Sequence, residues 1–218
     1  EKPRYLRGRQ EDVWFGSLST PYAFDWDGDG DEDIICGNAA GQIAFIENLS
    51  GPCVASPKWA PPVLLEAPPH LPIVGSYSEK SAPEPIWIQA GYNGSIQGPN
   101  EAKWGYVCLS VADWDGDGLP DIMANNIWGK IVLWRNVGTR ARPRLAAAQG
   151  VEVEWEGEQP EMKDGWYQPR VERNPRELII PWRTTPMMTD WNGDGLMDLV
   201  ALDHEGYLCL YERSKKGG

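Results

Sequence analysis

The sequence predicts an all-β protein built of repeated four-stranded antiparallel units, and three observations in its 218 residues carry that prediction. An acidic nonapeptide recurs three times. Each copy sits in the same frame of short apolar runs of strand length, and no segment shows a sustained helical period. Glycine (24) and proline (19) are high for a helical chain and suit turns and short strands.

The three copies align without gaps as DWDGDGDED (Asp25–Asp33), DWDGDGLPD (Asp113–Asp121) and DWNGDGLMD (Asp190–Asp198). A short run precedes each: Tyr22-Ala23-Phe24, Val107 to Ala112, Met187-Met188-Thr189. Eight residues after each final Asp comes a glycine, Gly41, Gly129 or Gly206, which opens the runs Gln42–Ile46, Lys130–Trp134 and Tyr207–Tyr211. A fourth strand follows in two units, where Pro57-Lys58-Trp59 leads into Val63-Leu64-Leu65 and Pro143-Arg144-Leu145 leads into Val151-Glu152-Val153. Four antiparallel strands, repeated, describe the blades of a β-propeller.

The blades centre on residues 20–66, 107–155 and 185–213 of a single propeller domain or partial propeller spanning 1–218. The third unit runs out at Arg213, and Pro3-Arg4-Tyr5-Leu6 resembles its missing strand, so residues 1–8 are assigned there. Residues 3–6 are expected beside Tyr207–Tyr211, either within one chain or between two. Two chains of three blades would close a six-bladed ring as a homodimer; otherwise another polypeptide completes the propeller.

The nonapeptide has the chemistry of a hard-cation loop. Carboxylates at positions 1, 3, 5 and 9 surround a turn made possible by glycine at 6, and four such groups a few ångströms apart repel strongly unless a cation joins them. The expected side-chain ligands are Asp25, Asp27, Asp29 and Asp33; Asp113, Asp115, Asp117 and Asp121; Asp190, Asn192, Asp194 and Asp198. Position 7 would add a backbone carbonyl from Asp31, Leu119 or Leu196. Irregular all-oxygen cages suit Ca²⁺ better than Mg²⁺, so three calcium sites are expected, with the Asn192 loop the weakest. Position 12 is Cys36, Ala124 or Ala201 instead of the bidentate Glu of an EF-hand, and a strand follows in place of a helix. Of 32 acidic residues, eleven are these Asp, leaving 21 against 20 basic residues, so the metal loops hold most of the −12 net charge.

DWDGDGDED, DWDGDGLPD and DWNGDGLMD, each followed by an apolar strand, resemble the calcium loops of FG-GAP/VCBS-type repeats, found in integrin-α-like propellers and in secreted bacterial lectins and rhamnogalacturonan-lyase-like enzymes. The resemblance covers roughly residues 20–50, 107–137 and 185–212. It implies a β-propeller, calcium and a secreted or extracytoplasmic setting (periplasm or cell surface), and leaves activity open. Propellers have at least four blades, and three are recognisable here.

From Asp25 to Asp113 is 88 residues and from Asp113 to Asp190 is 77, where a plain blade needs about 40–50. The extra residues are read as long loops, 66–105 and 155–185, with degenerate blades as the alternative. Strand parity puts these loops on the rim shared with Trp128 and His204, opposite the acidic loops. Flat rings beside polar donors suit sugars, so Trp87, Tyr92, Trp104, Trp128, Trp166, Tyr167, Arg170 and His204 are the candidate carbohydrate-binding residues, the competing role for each Trp being to pack the loops. Trp26, Trp114 and Trp191 at loop position 2 read as structural.

The expected function is a calcium-stabilised module binding polysaccharide or glycan. The alternatives are a lyase acting on a uronate-containing glycan, with His204 or Tyr92 as base and Arg170 on the carboxylate, and a protein-interaction or adhesion propeller. A pI near 4.6 disfavours nucleic acid. No run of about 18 apolar residues exists to span a membrane, and the first residues do not read as a signal peptide. The four cysteines form no CxxC pair and read as buried hydrophobes, with one disulfide involving Cys53 as the alternative.

Overall fold

The computed structural model describes residues 6–8, 12–69, 82–90, 99–154, 176–180, 183–203 and 206–214. Among them the chain is all-β, with one turn of 3-10 helix at Pro99–Glu101 and no α-helix. Among the described residues no helix is long and apolar enough to cross a membrane.

After β1 (Arg7–Gly8), the strands β2 (Thr20–Phe24), β3 (Asp33–Gly37) and β4 (Ile43–Ile46) form an antiparallel meander. β5 (Lys58–Trp59) lies outside it, and β6 (Val63–Leu64) completes a sheet ordered β2–β3–β4–β6. β7 (Glu66–Ala67) and β8 (Glu84–Pro85) make a small antiparallel pair. The pattern returns with β9 (Cys108–Ala112), β10 (Asp121–Asn125), β11 (Ile131–Trp134) and β12 (Gln149–Gly150), a second four-stranded sheet. β13 (Met187–Thr189), β14 (Asp198–Leu202) and β15 (Leu208–Tyr211) form a third of three strands. Register repeats as well: Asp33 pairs with Phe24, Asp121 with Ala112 and Asp198 with Thr189, so each nonapeptide ends at the first rung of its ladder.

Alternation along these strands sends side chains to both faces, and both faces of the second sheet are covered. Ile35 and Ile43 of the first sheet share one core with Leu109, Val111, Ile122, Ala124, Val132 and Trp134 of the second. Met123, Ile131 and Leu133, on the opposite face of the second sheet, meet Met188, Leu199 and Ala201 of the third. Full burial of each such side chain contributes about 1.5–3 kcal/mol, which holds the sheets together in chain order. The far face of the first sheet, with Cys36, Ile46 and Trp59, is covered by Val13 and Phe15.

The N-terminal segment departs from expectation. Residues 3–5 lie outside the described residues, but Arg7–Gly8 runs parallel to Lys58–Trp59, and Val13 N–H donates to the Leu6 carbonyl. Residues 6–8 therefore serve the first unit, and β15 has no strand on its outer edge among the described residues. The fourth strand of the first sheet is Val63–Leu64, as the sequence indicates; that of the second is Gln149–Gly150, just ahead of the expected Val151–Val153. No disulfide forms: Cys36, Cys53, Cys108 and Cys209 are free.

The long intervals carry a further repeat. Ile86 N–H donates to Leu65 O and Ile88 N–H to Gly41 O; Leu178 N–H donates to Val151 O and Ile180 N–H to Gly129 O. Segments 84–88 and 176–180 thus return along equivalent edges of the first two units. Gly41 is needed there, because its φ is 88° and a Cβ would collide with the Ile88 carbonyl. Among the described residues the intervals hold these returns and no additional blade.

Candidate functional site

The three acidic loops lie at one end of the sheets. Glycines at positions 4 and 6 all have positive φ, from 76° at Gly193 to 95° at Gly30, which turns the chain around the carboxylate of position 1. The Gly28, Gly116 and Gly193 amides each donate to that carboxylate, on Asp25, Asp113 and Asp190, at 2.8 Å. In the second loop Asp117 and Gly118 add bonds to Asp113 of 3.0 and 2.9 Å. Carboxylate oxygens of Asp25, Asp27 and Asp29 fall within 4.8 Å of one another, as do those of Asp113, Asp115 and Asp117; either triad could hold a metal ion. The third loop has only two acids at these positions, and Asn192 donates to Asp194 at 3.3 Å, which softens the repulsion a cation would relieve.

Position 9 has a second task. Asp33 accepts the Trp26 amide on one oxygen (3.1 Å) and the Asn48 amide on the other (2.9 Å). Asp121 does the same with Trp114 (2.9 Å) and Asn136 (2.7 Å), and Asp198 with Trp191 (3.0 Å) and Arg213 (2.8 Å). Each buried carboxylate clamps the start of its loop to the end of the third strand of its sheet. Burial pushes the Asp33 and Asp121 carboxyls up to about 6, against the opposing pull of the two amides.

Asp31, at position 7 of the first loop, is 1% exposed, and neither carboxylate oxygen has a hydrogen-bond partner. The Gly51 amide faces it without completing a bond, and burial together with Asp29, Asp27 and Asp25 raises its pKa. An orphaned buried carboxylate beside three others fits a bound cation. Neighbouring units also send arginines to the loops, a feature the nonapeptides do not signal. Arg140 of the second unit pairs with Asp25 at 3.2 Å. Arg213 of the third unit lies over the Trp114 ring at 4.8 Å and donates to the Trp114 carbonyl.

The opposite rim carries the aromatics. Trp87 is 62% exposed and donates to the Ala40 carbonyl at 2.9 Å, in the turn between β3 and β4. Trp104 is 37% exposed and stacks on Tyr106, with centroids 5.6 Å apart and planes 5° from parallel. The Arg183 guanidinium lies 3.7 Å from the Tyr106 centroid, and the Tyr106 hydroxyl donates to Glu101 at 3.0 Å. Burial, followed by that bond to Glu101, raises the Tyr106 pKa, so the phenol remains a donor. Tyr106 and Arg183 both hold left-handed backbone (φ 48° and 64°), a conformation costing about 1–3 kcal/mol outside glycine. Trp128 is half-buried against Ala39, Ala90, Tyr106 and Ile127, and its indole N–H is buried without a partner. Trp87, Trp104 and Trp128 therefore share the rim that strand parity assigned them. Tyr92, Trp166, Tyr167, Arg170 and His204 lie outside the described residues. Sequence reading missed Glu101, Tyr106 and Arg183, whose convergence comes from contacts 82 positions apart along the chain.

No protein-family model matches the chain, and no curated protein does either.

Proposed function

We propose that this chain is a calcium-stabilised β-propeller module of a secreted or extracytoplasmic protein, binding glycan through the rim opposite its acidic loops. Repeated antiparallel sheets packed in chain order support the propeller reading. The two Asp triads and the orphaned Asp31 carboxylate support calcium, which would neutralise and lock each loop, with Asp25, Asp27, Asp29 and Asp33, Asp113, Asp115, Asp117 and Asp121, and Asp190, Asn192, Asp194 and Asp198 as side-chain ligands and Asp31, Leu119 and Leu196 at position 7.

The glycan reading is carried by the Trp104–Tyr106–Arg183 stack. One face of Trp104 is backed by Tyr106, which is itself backed by Arg183, so the indole is held rigid while part of it stays open to solvent. A fixed aromatic plate beside a guanidinium and a carboxylate offers an apolar surface and polar partners to a pyranose, at small ordering cost. A base for lyase chemistry is not supported at this stack, because Tyr106 is held protonated and donates to Glu101.

A glycan array tests the reading. Wild type is expected to retain a defined set of glycans, and Trp104→Ala to lose at least about tenfold in affinity. Arg183→Gln should weaken acidic glycans more than neutral ones. An array with no retained glycan, or a Trp104→Ala protein that binds like wild type, would overturn it.

A further inference from the structure

We propose that the first acidic loop holds two calcium ions, the second bound by the Asp31 side chain with Asp29 as the shared carboxylate, an inference that rests on the calcium reading above. Position 7 is leucine in the other two loops, and Leu119 and Leu196 are both partly buried. Asp31 puts a carboxylate where those loops put an apolar side chain, and it is 1% exposed. An ionised carboxylate is costly to bury unless it is paired. Neither Asp31 oxygen has a hydrogen-bond partner, and the Gly51 amide faces them without completing a bond. Among the described residues the arginine that reaches this loop, Arg140, pairs with Asp25 instead. Protonation would not resolve the burial, because a carboxylic acid O–H also needs an acceptor, and neither oxygen has a partner of either kind.

An ion seated in the triad would not supply the missing partner. Calcium binds oxygens at about 2.3–2.6 Å, and the oxygens that lie within 4.8 Å of one another are those of Asp25, Asp27 and Asp29, with Asp31 outside the cluster. Of these three, Asp29 acts most strongly on Asp31, ahead of Asp27 and Asp25, so Asp29 is the residue with which it can share a second ion. A carboxylate has two oxygens and can bridge two cations. Asp29 is also exposed, so water can complete on its side a shell that Asp31 begins from within. Charge leads to the same count. The first loop has five Asp, the second four and the third three. One divalent ion in each would leave net charges of −3, −2 and −1 on those Asp, and a second ion brings the first loop to −1. Fewer protein oxygens reach the second ion than the first, so it fills last.

Counting bound calcium tests this. Each protein is dialysed to equilibrium against Ca²⁺ at about 10 mM, roughly tenfold above the weak end of extracellular sites, and calcium per chain is measured by elemental analysis. Wild type is expected to hold one ion more than Asp31→Leu, which installs the residue of the other two loops, and one more than Asp31→Asn, which keeps the size and removes the charge. In excess chelator Asp31→Leu should melt higher than wild type, because a buried charge without a partner is gone, and calcium should raise its melting temperature by less. Equal counts in wild type and both variants, with calcium bound, would overturn the second ion and leave the calcium reading standing. So would an Asp31→Leu protein that melts lower than wild type in chelator, since the carboxylate would then be satisfied without an ion. A wild-type chain that binds no calcium would overturn both.

Discussion

The second and third sheets share a motif, a register and nearly the same apolar strands, but differ in what covers them. Ile131-Val132-Leu133-Trp134 is buried at every position, whereas Leu208-Cys209-Leu210-Tyr211 alternates between exposed and half-buried. A strand apolar on both faces is the pattern of a sheet covered on both sides. The second sheet has that cover, from the first sheet and from the third. The third sheet has one covered face, yet its sequence is written for two. Burial here is a property of position in the stack, and local pattern reports what a strand is prepared for.

Metal removal is the largest lever on this comparison. Chelation is expected to lower the melting temperature sharply, since each site filled at about 1,000 times its dissociation constant contributes roughly 4 kcal/mol. The second loop has three clustered carboxylates and the third only two, so calcorimetric titration should resolve two tighter sites and one weaker, and Asn192→Asp should bring the third towards the others. An unchanged melting curve in excess chelator would refute the calcium reading. Equal affinity at all three sites would refute the contrast between the loops.

Next in size is the tryptophan series. Trp26→Ala removes a side chain 2% exposed and should cost about 3–5 kcal/mol in chemical denaturation. Trp191→Ala, at the equivalent position but 62% exposed, should cost within about 0.5 kcal/mol under monomeric conditions. Similar costs at both positions would mean that Trp191 is covered within a single chain, and the contrast between the sheets would fail.

Much of this was legible because the repeat is. Three nonapeptides in one frame locate the strands to either side, and the third unit shows three strands among the described residues. What escaped has physical reasons. The returns at 84–88 and 176–180 are too short to show a period, and Pro85 argues against a strand. Assigning residues 6–8 to the third unit rested on loop length, which cannot distinguish one exposed edge from another; the two-residue parallel pairing of Arg7–Gly8 leaves no sequence mark. The stack of Trp104, Tyr106 and Arg183 was half visible: the rim position of Trp104 followed from strand parity, but the partners that fix its ring depend on tertiary folding.

A smaller effect is expected from pH, and its sign distinguishes calcium-free from calcium-bound protein. Burial pushes Asp33 and Asp121 up to about 6, above the value for an unfolded chain, so the folded state keeps protons that the unfolded state has released. Calcium-depleted protein should therefore lose stability as pH rises from roughly 4 to roughly 6. Calcium favours the ionised carboxylates and should flatten or invert that slope. Urea midpoints at both ends of the window, with and without the ion, give the comparison. A calcium-free protein that gains stability across the window would show that these carboxyls are not held protonated by burial.

The smallest test concerns the tie between the second and third units. Arg213 places its guanidinium over Trp114 and donates to that residue's carbonyl, while its own amide holds Asp198. Substitution leaves the amide in place, so Arg213→Ala removes only the stacking and the side-chain bond. An exposed cation–π contact contributes about 0.5–1 kcal/mol and a net hydrogen bond about 1, so a loss of roughly 1–1.5 kcal/mol is expected. Arg213→Lys keeps the charge but loses the planar stack and should fall between wild type and Arg213→Ala. If the third sheet is anchored mainly by the core of Met188, Leu199 and Ala201, both variants will still unfold in one cooperative transition. A separate early transition in Arg213→Ala would mean that this one side chain, more than the shared core, couples the covered sheet to the uncovered one.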